Sequence, residues 1–324
     1  MKGLTDIAGI LVGHASDYDG FTGCTVVLCE GGAVAGGDIR GSATGVDEWD
    51  VLSPMHVTDR IHGVVFSGGS AFGLESASGV RRFLEHKGVG FKTGAGPVPI
   101  VVGAILYDLG FGKKGVRPTR EMAETAAAAA SDRAVQEGAV GAGTGATVGK
   151  ILGARNAMKS GVGSWTVTLE GRNAGVMVSA LAVVNAVGDV RDPSTGKIIA
   201  GARKTPDSME FADSARLMKS MGPTGFTREN TTLVLVATNA ALNKVEATKL
   251  AQLGQLGTAR AINPVNTMSD GDLVVAMSCG AARAPIDALG VAASEAVAEA
   301  IVRAVRMAPS FPGLAGGGLP GLKK

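Results

Sequence analysis

Aromatic side chains are scarce in this 324-residue chain: they make up 4% of it, with only two tryptophans and two tyrosines. A core of large rings is therefore excluded, and Ala, Val, Leu and Met must fill the interior. The same scarcity removes the usual stacking platforms for bases. Formal charge is nearly balanced at +2, with no basic block, so no nucleic-acid partner is expected. No run of about 18 apolar residues is present, which excludes a membrane-spanning helix of ordinary length. Met1 to Ile10 contains Asp6 and has no basic stretch leading into an apolar one, so no signal peptide is read and a cytoplasmic location is expected.

Cysteine and histidine are also few. Cys24, Cys29 and Cys279 are odd in number. Cys24 and Cys29 stand five apart on an apparent strand, so they face opposite sides and do not have zinc-knuckle spacing. Small buried apolar groups are the simplest reading of them. His14, His56, His62 and His86 form no metal-ligand spacing, and none is assigned a role. No metal or cofactor is expected.

What the chain has in quantity is glycine, 49 residues of it, together with a hydrophobic fraction of 45% against 19% charged. That composition builds a sizeable core with many turns and close backbone approaches. The length suits one large domain, taken here as residues 1–324.

Along the chain, residues 7–13, Thr25–Leu28 and Ile61–Phe66 read as strands, with Gly31–Gly37 a glycine-rich turn or return strand. Gly73 to about Glu85 reads as a helix, and so does Thr119, as N-cap, to about Glu137. Trp165–Leu169 and Gly175–Val187 form a strand pair around a hairpin turn. Ser208–Met221 reads as a short helix, Thr232–Ala237 and Asp270–Ser278 as strands, and Lys244–Ala261 and Pro285–Val305 as helices. Paired strands with paired helices between them give no simple βαβ series. An α+β four-layer αββα sandwich is expected.

Two glycine-rich motifs are weighed and set aside. Ser67-Gly68-Gly69-Ser70-Ala71-Phe72-Gly73 follows a strand as a nucleophile elbow does, but Phe72 stands where that pattern needs glycine, and no histidine follows residue 86. Gly138–Ala146 resembles a dinucleotide fingerprint only loosely, since a helix precedes it and no ribose-binding acid follows.

Three polar features interrupt apolar runs. Asn230 and Thr231 stand at the mouth of the Thr232–Ala237 strand, after an approach containing Pro206, Gly222, Pro223 and Gly225. Taken alone they read first as turn residues at the entry to a core strand, and a site is the second reading. Asp270 and Asp272 flank Gly271 just before a second strand. With strand alternation both carboxylates face one side, roughly 6.5–7 Å apart at the backbone, and one pKa is pushed up. A solvated Asp-Gly-Asp turn is the other reading. Asn185 lies inside an apolar strand, where its amide must be hydrogen-bonded.

These segments together are similar to the DmpA/P1 aminopeptidase family, peptidase family S58, which includes nylon-oligomer hydrolases. The resemblance is carried by residues 6–14, Gly68–Gly73, Val183–Asp189, Asn230–Asn239 and Asp270–Asp272, spread over nearly the whole chain. It implies an N-terminal-nucleophile hydrolase of small amides or peptides, with the αββα fold. It further implies a precursor that cuts itself between Asn230 and Thr231 into an α chain, 1–230, and a β chain, 231–324. Thr231 becomes the nucleophile, Asn185 the oxyanion residue, and Asp270 and Asp272 the acidic pair of the nylon-hydrolase branch. In the aminopeptidase branch the first of those acidic positions is serine, a departure. Lys159 and Tyr107 match an active-site lysine and tyrosine. The resemblance also implies a homo-oligomer, a tetramer of processed protomers. The alternative is a non-catalytic binding or assembly protein that keeps the fold; an uncut chain would favour it. A nucleotide enzyme using Gly141–Gly145 would instead show dinucleotide-dependent thermal stabilisation.

Overall fold

The computed structural model describes residues 2–221, 230–311 and 319–323. Eight main strands carry it: β1 (Leu11–Asp17), β2 (Thr22–Ile39), β3 (Arg60–Ser67), β4 (Val101–Ile105), β5 (Val162–Thr168), β6 (Met177–Asn185), β7 (Thr231–Ala240) and β8 (Leu273–Ala282). Their hydrogen-bonded order is β5-β6-β7-β8-β2-β3-β4, with a short edge strand, Val46–Asp47, beyond β4 and with β1 added on β2. The β7/β8 and β3/β4 pairs are parallel and the others antiparallel.

One strand turns this ladder into two layers. The first part of β2, through Leu28, pairs with β1 and β3, and its last part, Val34–Ile39, pairs with β8. The register shifts between Leu28 and Ala33, where Gly32 takes φ +75°. Such a bulge bends a strand and increases its twist. Gly31–Gly37, which reads as a glycine-rich turn or return strand, is thus part of the second half of one 18-residue strand.

Period-two alternation then builds three cores. Outward residues of the first layer, including Cys24, Val26 and Val65, pack under the helices α1 (Ser76–His86) and α2 (Arg120–Ala128). Outward residues of the second layer, including Ala182, Val234 and Val274, pack under α3 (Lys244–Ala261) and α4 (Ile286–Arg306). Between the layers lie Val27, Cys29, Phe66, Val183, Leu233 and Val275. The result is the αββα sandwich, and Cys24 and Cys29 do face opposite sides. Glycine lets the helices sit close. A Cβ on Gly36 would fall 2.3 Å from the Thr248 nitrogen in α3, and one on Gly163 would fall 2.0 Å from the Ala300 oxygen in α4.

Element ends depart from the sequence expectation where tertiary pairing intervenes. Helix α3 has the expected bounds, fixed at its start by a capping box between Asn243 and Glu246. Thr119 caps α2 as expected, its hydroxyl oxygen accepting from the Met122 N–H. That helix stops at Ala128 rather than near Glu137, because Ser131 exchanges both backbone hydrogen bonds with Val12 of β1. The first strand begins at Leu11, after Gly9 turns the chain at φ +87°. The short helix spans only Ser214–Ser220. Gly222, Pro223 and Gly225 of the approach to Thr231 lie outside the described residues. Among the described residues no helix is long and apolar enough to cross a membrane.

Candidate active site

Thr231 opens β7 and is paired directly with Asn185, the last residue of β6. Opposed residues of an antiparallel pair share a face. Two residues along each strand, Val183 and Leu233 point into the central core, so Thr231 and Asn185 point to the same interior layer at its end. Both are buried. The Thr231 hydroxyl donates to the Asn230 carbonyl at 2.5 Å. That oxygen also accepts the Gly271 N–H at 2.8 Å, within a parallel bridge between Asn230 and Asp270 that extends the β7/β8 ladder.

The Asp270–Asp272 stretch is buried, not a solvated turn: each aspartate is 1% exposed. Loop 40–43 clamps it from one side, with the N–H groups of Arg40 and Gly41 on the Asp272 carbonyl and that of Ala43 on the Asp270 carbonyl. Asp272 accepts the Thr232 N–H at 2.5 Å on one oxygen and the Asn266 N–H at 2.9 Å on the other. Burial, and then the neighbouring Asp270, push its carboxyl up to about 7. Asp270 accepts from the Thr267 hydroxyl and N–H on Oδ2, while its buried Oδ1 has no hydrogen-bond partner within 3.5 Å among the described residues. Burial raises its pKa as well, against the Thr267 hydrogen bonds, the nearby Val187 N–H and the pull of Lys150. The two carboxylates titrate as a pair.

Asn185 is held on three sides. Its Oδ1 accepts the Thr147 N–H at 3.1 Å and the Lys150 ammonium at 2.7 Å, and its Nδ2 donates to the Tyr107 carbonyl at 2.9 Å. Lys150 also donates to the Asn185 backbone carbonyl at 2.9 Å. The Tyr107 main chain thus meets the site.

The lysine that reaches Asn185 is Lys150, which the sequence reading passed over, and not Lys159. Lys159 donates to the carbonyls of Gly143 (2.9 Å), Ala146 (2.8 Å) and Ser160. Both lysines follow the same glycine-rich stretch, and spacing to Asn185 does not choose between them. Gly149, at φ +73°, turns the chain so that Lys150 faces the end of β6.

The motifs set aside in the sequence have structural occupations. Ser70 sits at φ +55°, its N–H on the Leu106 carbonyl. Gly143 and Gly145 are close-approach positions, where a Cβ would meet the Val162 nitrogen at 2.6 Å and the Phe21 oxygen at 2.1 Å. The arrangement as a whole presents a hydroxyl beside its own preceding carbonyl, a backbone donor on that carbonyl oxygen, and two buried carboxyl groups. Those are the parts of an acyl transfer.

Comparison with known proteins gives a family and a fold. The sequence profile of Peptidase family S58 matches residues 2–317. An uncharacterized aminopeptidase of Mycobacterium leprae is 38% identical, over 97% of this chain and 92% of its own length. A 6-aminohexanoate-oligomer endohydrolase of a Kocuria species is 28% identical, over 93% and 85%. The fold matches a Burkholderia β-aminopeptidase (TM-score 0.70, 23% identity, 99% of this chain and 91% of that one). It also matches the L-aminopeptidase D-Ala-esterase/amidase of Ochrobactrum anthropi, described as a variant of the Ntn hydrolase fold (TM-score 0.73, 17% identity, 99% and 91%). A family profile spanning almost every residue leads to one assignment: the chain belongs to peptidase family S58.

Proposed function

We propose that this protein is a self-processing amide hydrolase in which Thr231 first cuts the chain at Asn230 and then serves as the catalytic nucleophile. The observation that carries the reading is the Thr231 hydroxyl seated on the Asn230 carbonyl, whose oxygen also takes the Gly271 N–H.

In the uncut chain the Thr231 nitrogen is an amide and cannot act as a base. A threonine hydroxyl needs one. Asp270 is assigned that role through its unpartnered Oδ1, with Asp272 holding the start of β7 in register through the Thr232 N–H. The hydroxyl oxygen attacks the Asn230 carbonyl carbon while its proton passes to Asp270. Gly271 donates to the developing oxyanion. The carbon–nitrogen bond then breaks, the proton goes to the released Thr231 nitrogen, and the acyl group rests on the threonine oxygen as an ester. Water cleaves that ester, leaving chains 1–230 and 231–324.

The new amine has a reference pKa of about 8 and becomes the base for turnover. A substrate amide acylates Thr231, its amine leaves, and water releases the acid. Asn185, oriented by Lys150, Thr147 and Tyr107, supplies its amide to the substrate oxyanion; one such donor typically contributes about 3 kcal/mol to lowering the barrier. The substrates are short amides: peptides with a free amino end, β-peptides, D-alanine amides or esters, or oligomers of ω-amino acids. Likeness to an aminopeptidase and to a 6-aminohexanoate-oligomer endohydrolase supports peptide and ω-amino-acid amides within that range.

Intact mass under denaturing conditions tests the reading. The native chain is expected as two fragments that break between Asn230 and Thr231, and Thr231→Ala as one inactive chain. Thr231→Ala cut at the same bond, or turning over small amides at the native rate, would remove the proposal.

A further inference from the structure

A second pair of buried ionisable groups lies behind Asn185, and the proposed chemistry does not use it. Lys159 and Asp108 are each 1% exposed. The Lys159 ammonium has three donors, and the three carbonyls of Gly143, Ala146 and Ser160 take them. Asp108 stands on the other side of the same segment. A Cβ on Gly145 would lie 2.6 Å from the Asp108 Cβ. Its carboxylate accepts the Thr22 hydroxyl and the Gly69 N–H, each at 2.7 Å. Segment 143–146 is therefore held by the Lys159 ammonium and packed at Gly145 against Asp108, whose carboxylate is tied to Thr22 and Gly69.

Both residues adjoin an anchor of Asn185. Ala146, bound by Lys159, precedes Thr147, whose N–H holds the Asn185 Oδ1, and Thr147 is itself paired in register with Lys159. Asp108 follows Tyr107, whose carbonyl holds the Asn185 Nδ2. We propose that Lys159 and Asp108 are a positioning pair that fixes the Asn185 amide for turnover, and that neither touches substrate. This rests on the hydrolase reading above.

The role requires charge on both groups. A neutral amine has two N–H donors for three carbonyls, so deprotonation of Lys159 releases one of them. The charged groups acting on Lys159 are Asp108, which favours the ammonium, and Lys150, which opposes it; the Phe311 ring lies 5.1 Å from its nitrogen. Burial dominates and pushes Lys159 down to about 7, while burial pushes Asp108 up to about 6. The ammonium is thus lost as pH rises through about 7, which gives turnover an alkaline limb.

The test compares Lys159→Met, Lys159→Arg and Asp108→Asn for self-cutting, for kcat and KM on a small amide, and for the pH profile, with Thr231→Ala alongside. Lys159→Met is expected to be cut between Asn230 and Thr231. Its kcat should fall by ~10²-fold, the scale of a roughly 1 Å misplacement, with KM little changed. Lys159→Arg should restore most of kcat and lose the alkaline limb. If Lys159→Met does not fold, Asp108→Asn carries the same expectation of a lowered kcat in a cut chain. A folded Lys159→Met that stays uncut would make Lys159 a participant in processing and overturn the proposal, as would native kcat and pH profile in both neutral variants. Amide turnover by Thr231→Ala would instead overturn the hydrolase reading.

Discussion

Adding a single methyl group at Gly271 tests the processing geometry directly. Gly271 is outside the left-handed region, so an alanine there meets no backbone strain and only space opposes it. Its Cβ would stand 2.8 Å from the Thr231 Oγ1, 2.9 Å from the Ala43 oxygen and 3.2 Å from the Thr44 Cα. Contacts under about 3 Å require movement, and the threonine side chain gives way most easily because it rotates about one bond. Rotation carries the hydroxyl off the Asn230 carbonyl. If the chain moves instead, the Gly271 N–H leaves the carbonyl oxygen. Either displacement of about 1 Å slows attack by ~10²-fold. Stability should change far less. Overpacking costs ~1–3 kcal/mol, and at ~2.1 cal/mol/K per residue the unfolding entropy of 324 residues is about 0.7 kcal/mol/K, so Tm drops by only about 1.5–4 °C. The assay is a time course of the uncut band on a denaturing gel after a pulse of synthesis, with Tm measured on the same preparation. Gly271→Ala that folds and is cut at the native rate would refute the assignment of this peptide to the reaction.

Asn185→Asp keeps the acceptor for the Thr147 N–H and Lys150 but removes the donor to Tyr107 and to the substrate oxyanion. Its kcat on a small amide should fall by ~10²–10³-fold; an unchanged kcat would remove Asn185 from the site. The pH dependence of processing follows from the raised carboxyls. A carboxyl pushed up to about 7 is neutral below that pH and ionised above it, so the base form of the Asp270–Asp272 pair accumulates as pH rises. The first-order rate of self-cutting should climb as pH rises through about 7 and level off about a unit above it. A rate that is flat from pH 5 to 8 would exclude the pair as the base.

The sandwich was legible in the sequence because each layer is written locally. Apolar runs at Ile61–Phe66 and Thr232–Ala237 became core strands, and Lys244–Ala261 kept its ends because a capping box fixes one of them. What the sequence did not convey depends on partners far along the chain. Ser131 ends α2 by pairing with Val12, and one bend in β2 joins the two sheets. The site divides the same way. Thr231 and Asn185 stand out as polar residues on apolar strands. The choice between Lys150 and Lys159 is made by a turn at Gly149 and by which carbonyls face inward, neither of which spacing records.

The cluster itself argues for chemistry. Elsewhere the layer between the sheets is filled by Val, Leu, Phe and Met. Around Asn185 and Thr231 the structure buries Asp270, Asp272, Asp108 and Lys159 and half-buries Lys150. Taking such groups out of water costs several kcal/mol each, and apolar side chains of similar volume often serve stability as well or better. A fold kept only for binding at its surface would have no use for that cost. A buried Asp270 oxygen without a hydrogen-bond partner among the described residues, and carboxyls pushed toward neutrality, are unfavourable for folding and useful for moving protons. The features that weaken the protein locally are those the hydrolase reading employs, which is why a non-catalytic scaffold accounts for the sequence less well.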